Sequence, residues 1–392
     1  MDLNQTIDEI TARIGDDLTA IWHAIHQHPE IGFEEVETAK RVSATLEKLG
    51  IPHRTGVGKT GVVGLIEGGG PGKTIGIRAD MDALPVQEKS RVSFASKIPG
   101  RMHACGHDTH TVMVLGAAMV LNELSERIQG RVKLIFQPAE ELLIGAPAMI
   151  EDGVLEDPKM DAILGLHNWI TLAAGQVAYN PDVTFAASDA FDLTLKGLSG
   201  HAAHPHTTID TITNAAYFIT QLQSIVSREI IPVSPAVISI GRIEGGTVRN
   251  IIPDSVTLQG TVRTLDGAIS EQIEAAIRRL LDGLKAGMRV DYELDYRRLV
   301  PVVRNDPELL ATVLDSVRDI LGAEHVEQLP APPMGSEDFA FFSEAIPAAH
   351  LRIGSKSEDL DTAAHRNTYE CDPLAIPTGV RAISRAALDL LS

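Results

Sequence analysis

The segment MHACGHDTH at 102–110 places His103, Cys105, His107, Asp108 and His110 just ahead of an apolar helix. Thiolate and imidazole are donors that divalent transition metals favour, which makes the cluster a candidate metal site. Cys105 and His107 can face one ion if the chain between them is extended, because side chains at i and i+2 share a face. Histidines at a helix start can equally cap it or pair with Asp108. A second feature is QPAEELLIG, in which Glu140 and Glu141 follow an apolar strand ending at Phe136. Adjacent carboxylates are common on solvated turns. Consecutive residues also project in different directions, so one glutamate can ligate an ion while its neighbour faces a water. His167 in GLHNW ends a strand, either as a structural residue or as a ligand, and His365 in AAHRNTYE is a fourth contributor from far along the chain.

The elements that must position these residues alternate. Strands are predicted at 61–67, 74–78, 131–136 and 161–167, and helices at 3–25, 34–49, 109–126 and 146–151, the pattern of an α/β domain with a largely parallel sheet. In such sheets ligands collect beyond the carboxyl ends of the strands, where the HACGHD turn, the glutamate pair and His167 all fall. The rhythm then changes. Strand 190–196, helix 209–227, strands 236–243 and 255–264, helix 270–287 and strand 289–296 read β-α-β-β-α-β, a ferredoxin-like unit. Helix and strand alternation resumes at 306–321, 335–344, 351–354 and 377–391. The chain therefore divides into a discontinuous first domain, 1–186 with 299–392, and an inserted domain, 187–298.

Bulk properties restrict the partners. With 392 residues the chain favours two domains over one. Against 34 Lys plus Arg stand 53 Asp plus Glu, a formal charge of -19 that disfavours nucleic acid and anionic lipid. Two cysteines, Cys105 and Cys371, suit a reducing compartment, the first 25 residues read as an amphipathic helix instead of a signal peptide, and no apolar run reaches the roughly 18 residues of a membrane span. The expectation is a cytoplasmic protein. Cys371 reads as a packing residue, Trp169 as packing beside His167, and His23, His26 and His28 as solvated or capping residues on or just past the first helix.

HPEIGFEE at 28–35, IRADMDALPVQE, MHACGHDTH, LIFQPAEE, GLHNW, KGLSGHAAHPH, GGTVRNIIPD, GTVRT and MGSEDFAFF follow one another in order. Together they resemble the M20 metallopeptidase and amidohydrolase family, in the branch that holds hippurate hydrolases and plant auxin-conjugate hydrolases. The resemblance covers almost the whole chain. It implies a Zn-peptidase-like catalytic domain with a mixed, largely parallel sheet and an inserted ferredoxin-like domain acting as lid and dimerisation surface. It further implies two divalent ions, zinc or manganese with cobalt or nickel as options, ligated by Cys105, His107, Glu141, His167 and His365, with Cys105 between them. Glu140 is then the general base and Asp80 supports the ligands. His201, Asn250 and Arg263 match substrate-contacting positions, His201 suited to an oxyanion and Arg263 to a free α-carboxylate, while Gly335 borders the substrate pocket with Ser336 and Glu337.

The activity this implies is hydrolysis of N-acyl amino acids to a carboxylate and a free amino acid by a homodimer or higher oligomer. A dipeptidase or N-carbamoyl amino acid hydrolase is the runner-up on the same scaffold. A catalytically silent small-ligand-binding protein is the alternative of another class, although binding alone has no need of a base beside the metal. The chain departs from the family pattern in three places. Leu142, Leu143 and Ile144 stand where glycines are common, which predicts a more apolar pocket wall; Arg366 and Asn367 follow His365 in place of the usual His or Asn then Pro; and 356–362 forms an unusual polar approach to that histidine.

Overall fold

Four strands run through the middle of the larger sheet as near-continuous buried runs, the pattern expected where helices cover both faces. In Gly70–Asp80 the stretch from Thr74 to Asp80 is buried throughout, and it pairs in parallel with Gln129–Gln137 on one side and Ala162–Ala173 on the other. Ala348–Lys356 adds in parallel to Ala162–Ala173. The computed structural model describes residues 2–356 and 362–392. Among these, the eight-stranded sheet runs His53–Val57, Gly61–Glu67, Gln129–Gln137, Gly70–Asp80, Ala162–Ala173, Ala348–Lys356, Val177–Tyr179, Val326–Gln328. Its first two pairings, and that of Val177–Tyr179 with Ala348–Lys356, are antiparallel. The fold class is thus a mixed α/β sheet with a parallel centre.

Register aligns the strand ends that matter. Asp80 pairs with Gln137, Arg78 with Gly165, and Arg352 with His167, so Asp80, Gln137 and His167 are level at one edge of the sheet. Over the sheet lies helix His107–Glu123, apolar on every face and packed between Leu3–His26 and Ala375–Leu390. The last contact needs glycine: a Cβ on Gly116 would sit 2.4 Å from Val380 Cγ2. Among the described residues no helix is long and apolar enough to cross a membrane.

This first compact unit comprises Met1–Thr184, Arg304–Pro332 and Glu337–Ser392. The second comprises Phe185–Val303 with Pro333–Ser336. It has its own antiparallel sheet, in the order Ala236–Gly245, Ser255–Thr264, Ala187–Lys196, Asp291–Val300, with helices Thr211–Ser224 and Gly267–Met288 between strands in the chain. Ser255–Thr264 alternates exposed and buried residues, as a sheet with one wet face should. Its buried face meets a separate core that includes Phe191, Leu193, Phe218, Leu258 and Ile277. The side chains of Asp210 and Asp266 cap the two helices.

Several local expectations change. The helix after the metal-type cluster begins at His107, two residues earlier than periodicity suggests, because left-handed Gly106 (φ 89) turns the chain sharply there. His167 does not end its strand, which continues to Ala173 against Ala348–Lys356 after Gly70–Asp80 has stopped pairing with it at Gly165. Within 335–344 only Ala340–Ala345 is regular, as a helix. His26 is not solvated: it is buried, its Nδ1 2.7 Å from Asp108 and its Nε2 3.2 Å from Glu88. Burial opposes its charge, but those two carboxylates outweigh it and push its pKa up to about 10.

Candidate metal centre

The geometry starts at Gly106. Any Cβ there would collide with the Asn168 amide at 1.8 Å and the Tyr369 hydroxyl at 2.6 Å, so the tight turn belongs to glycine. It is this turn, and not an extended i, i+2 stretch, that lets Cys105 and His107 converge. Cys105 Sγ lies 3.5 Å from His167 Nε2. His365 arrives through its own backbone, whose N–H donates to Ala104 O at 2.7 Å, and its Nε2 stands 3.3 Å from Glu141 Oε1. Two three-residue groups result, Cys105 with His107 and His167, and Cys105 with Glu141 and His365, the donor atoms of each within 4.8 Å of one another. Cys105 is common to both. All five expected ligand positions therefore meet in the first unit. Residues 357–361 of the polar approach to His365 lie outside the described residues.

The donor set suits a pair of divalent ions. His107 Nε2 and Glu141 Oε1 are buried and, among the described residues, make no hydrogen bond, the carboxylate oxygen facing the His365 ring at 3.3 Å, so a cation would satisfy atoms that are otherwise costly to bury. Burial, followed by the nearby histidine His110, drives His167 well below the usual histidine range and keeps it in the neutral form that ligates. Burial raises Glu141, but His365 and His107 overcome it, and the carboxyl is held below its ordinary value. Burial and then Glu141 push the Cys105 thiol up to about 12, so thiolate formation calls for a cation at Sγ.

Around these five lies a shell that orients them. Asp82 Oδ1 is 3.1 Å from His107 Nδ1, and Asp82 Oδ2 accepts the Glu141 N–H at 2.9 Å, so one carboxylate steers two ligand positions. Sequence reasoning passed over Asp82 in favour of Asp80. The repeat of aspartate at i, i+2 just past a strand end was the available signal. Asp80 is 3.9 Å from His107 Nδ1 and acts elsewhere: it bonds His110 Nδ1 at 2.6 Å, and His110 Nε2 accepts the Asn168 N–H at 2.8 Å. Asp82→Ala is expected to weaken metal binding roughly 10- to 100-fold, the usual effect of losing such a partner, as read by competition with a chromogenic chelator.

Glu140 is 5% exposed, its Oε2 3.9 Å from His107 Nε2 and its Oε1 accepting the Asp338 N–H at 3.3 Å. Burial first, then Glu337 and Glu141, raise its pKa well above the ordinary glutamate value, the direction a general base needs.

Of the residues expected to contact or border the substrate, His201, Asn250, Arg263, Gly335 and Ser336 lie in the second unit and Glu337 in the first. The short pairing of Gly200–His201 with Ile251–Ile252 brings His201 beside Asn250, whose carbonyl accepts the Ala202 N–H at 3.1 Å. Both side chains are exposed. Half-buried Arg263 bonds the Ser336 hydroxyl, and the Gly335 carbonyl accepts the Ala186 N–H at 2.9 Å.

Comparison with known proteins adds to this geometry. Residues 76–389 match the pattern of Peptidase family M20/M25/M40. The chain is 41% identical over 370 residues to IAA-amino acid hydrolase ILR1-like 4 of Arabidopsis thaliana, covering 93% of this chain and 83% of that protein. It is 40% identical over 342 residues to N-acetylcysteine deacetylase of Bacillus subtilis, covering 86% and 87%. The crystal structure of a Bacillus subtilis protein described as a dinuclear metal-binding peptidase of the M20 family superposes with a TM-score of 0.84 at 34% identity, covering 97% of this chain and 99% of that one.

Proposed function

Because the chain belongs to peptidase family M20/M25/M40, we propose that it hydrolyses the amide bond of N-acyl amino acids, releasing a carboxylate and a free amino acid. Cys105, His107, Glu141, His167 and His365 hold two divalent ions, zinc or manganese, in this reading. The observation that carries it is the sharing of Cys105 between two ligand groups, beside a buried His107 Nε2 that makes no hydrogen bond among the described residues. The relatives named above point to the substrate: one is a deacetylase of N-acetylcysteine and the other a hydrolase of IAA-amino acids.

Bound ions would acidify a coordinated water and polarise the scissile carbonyl. Glu140 takes the water's proton at its carboxylate and returns it to the leaving nitrogen, a role that its burial and raised pKa favour. His201 stabilises the oxyanion, Arg263 pairs with the free carboxylate of the substrate, and Asn250 and Gly335 complete the contacts. The assembly is read as a homodimer or higher homo-oligomer formed through the second unit, and the compartment as the cytosol.

The test is a metal-resolved substrate screen. Protein stripped of metal and reloaded with Zn²⁺ or Mn²⁺ should cleave at least one of a panel of N-acetyl, N-benzoyl and indole-acetyl amino acids. Silence across that panel with two ions bound per chain would end this reading, while turnover confined to dipeptides or N-carbamoyl amino acids would move it to the sister activity.

The glutamate turn adds a specificity expectation. Leu142 and Ile144, directly after the glutamate pair, are 53% and 46% exposed, an apolar rim where a glycine would offer nothing to an acyl group. Replacing both by glycine should lower kcat/KM for N-benzoyl relative to N-acetyl substrates by about tenfold, since modest apolar contact discriminates on that scale. An unchanged ratio would place the acyl group elsewhere.

A further inference from the structure

The turn that carries Glu140 and Glu141 is conformationally expensive. Ala139 (φ 53) and Leu143 (φ 58) both sit in the left-handed region, which non-glycine residues keep only when their surroundings impose it. Three buried carboxylates impose it here by gripping backbone N–H groups along the turn. Glu35 Oε1 accepts from Ala139 at 2.8 Å, Asp82 Oδ2 from Glu141 at 2.9 Å, and Asp338 Oδ2 from Ala146 at 2.9 Å.

Asp338 does more than hold the far end. Its Oδ1 accepts from the Gln137 amide at 2.7 Å, on the strand that leads into the turn, and from Arg78 Nη2 at 3.0 Å. Its own N–H is the donor to Glu140 Oε1 at 3.3 Å. One fully buried residue therefore fastens the entry of the turn, its exit and the carboxylate between them. Arg78 in turn bonds Asp80 at 2.7 Å and Glu337 at 2.9 Å, so the anchor is itself fixed by the sheet edge. Asp82 serves the ligand side of the same turn, through His107 and Glu141. Asp338 serves the base side.

We propose that Asp338 is the positioning residue for Glu140, setting the orientation in which that carboxylate exchanges its proton. The inference rests on Glu140 being the base. Asp338 touches neither substrate nor metal in this role and acts only through Glu140. Misplacement of a catalytic group by about 1 Å costs on the order of 10²-fold in rate, so the expected loss is of that size.

A double-mutant cycle separates this role from general support of the fold. Asp338→Asn keeps the shape but turns one acceptor oxygen into a donor facing other donors. In the metal-loaded enzyme it should lower kcat by about 30- to 100-fold on an N-acyl amino acid, with KM and bound metal close to wild type. In a Glu140→Gln background, assayed at high enzyme concentration, the same substitution should change the residual kcat by less than about threefold, because no base remains to misplace. An equal loss in both backgrounds, or loss of metal along with kcat, would overturn the proposal while leaving Glu140 as base. Full turnover in Glu140→Gln alone would instead remove the base reading on which it stands. Should Asp338→Asn not fold, Gln137→Met removes one of the anchor's bonds and keeps its charge. Its smaller loss, about threefold to tenfold, must likewise vanish in the Glu140→Gln background, and persistence there would overturn the proposal.

Discussion

Glu140→Gln is expected to lower kcat by about 10²- to 10⁴-fold while the fold and both ions persist. The side chains are nearly isosteric, and glutamine can still accept the Asp338 N–H through its carbonyl oxygen, so the turn keeps its bond to the neighbouring loop. What disappears is the ability to take a proton at that position. The metal count makes the result diagnostic. His107, Glu140 and Glu141 also form a possible ligand group, their donor atoms within 4.8 Å. If Glu140 bound an ion, its amide would bind it poorly, and metal content would fall together with turnover. Elemental analysis and steady-state kinetics on one preparation distinguish a base from a ligand. A variant with wild-type turnover would remove Glu140 from the chemistry altogether.

The parts of this site that the sequence made visible are those that chemistry marks locally. Glu140 and Glu141 lie just beyond the end of a buried strand, Cys105 and His107 at the start of a buried helix and His167 within a buried strand, and residue type beside such apolar runs flags all five. His365 shows the limit. Its place depends on one backbone bond to Ala104, and no local pattern encodes a hydrogen bond between residues so far apart in the chain. Asp82 was overlooked because its value lies in having two oxygens that reach two different elements, which appears only in three dimensions. His26 fails for a related reason: an amphipathic helix with polar residues at its end looks the same whether they meet water or the buried carboxylates of Asp108 and Glu88. In the second unit the succession of strands and helices is itself a local property, which is why a β-α-β-β-α-β order could be read there. The helix that ends at Ala345 starts only at Ala340 because Glu337 and Asp338 are fixed by Arg78, a long-range ion pair that no local pattern encodes.

Cys105→Ser is expected to abolish metal retention and, with it, activity. Cys105 belongs to both ligand groups, so its loss removes a donor from each ion at once. Serine cannot compensate: its hydroxyl resists deprotonation far more than a thiol, and it is a harder donor than zinc and its neighbours prefer. His107 Nε2, buried with no hydrogen-bond partner among the described residues, would then stay unsatisfied, so the metal-free form should also be the less stable one. Linkage sets the size of that effect: an ion present at 100 times its Kd stabilises the folded chain by about 2.7 kcal/mol, and a variant that does not bind gains none of it. Wild-type protein should therefore melt at a higher temperature when Zn²⁺ is restored, whereas Cys105→Ser should not respond. Cys371→Ser is the matched control, because Cys371 Sγ faces the Asp372 carbonyl at 3.6 Å and lies in none of the ligand groups found among the described residues. It should retain two ions and the full thermal response. Retention of both ions by Cys105→Ser after gel filtration would show that the thiolate is not shared between them, and the two-ion arrangement would have to be rebuilt around other donors.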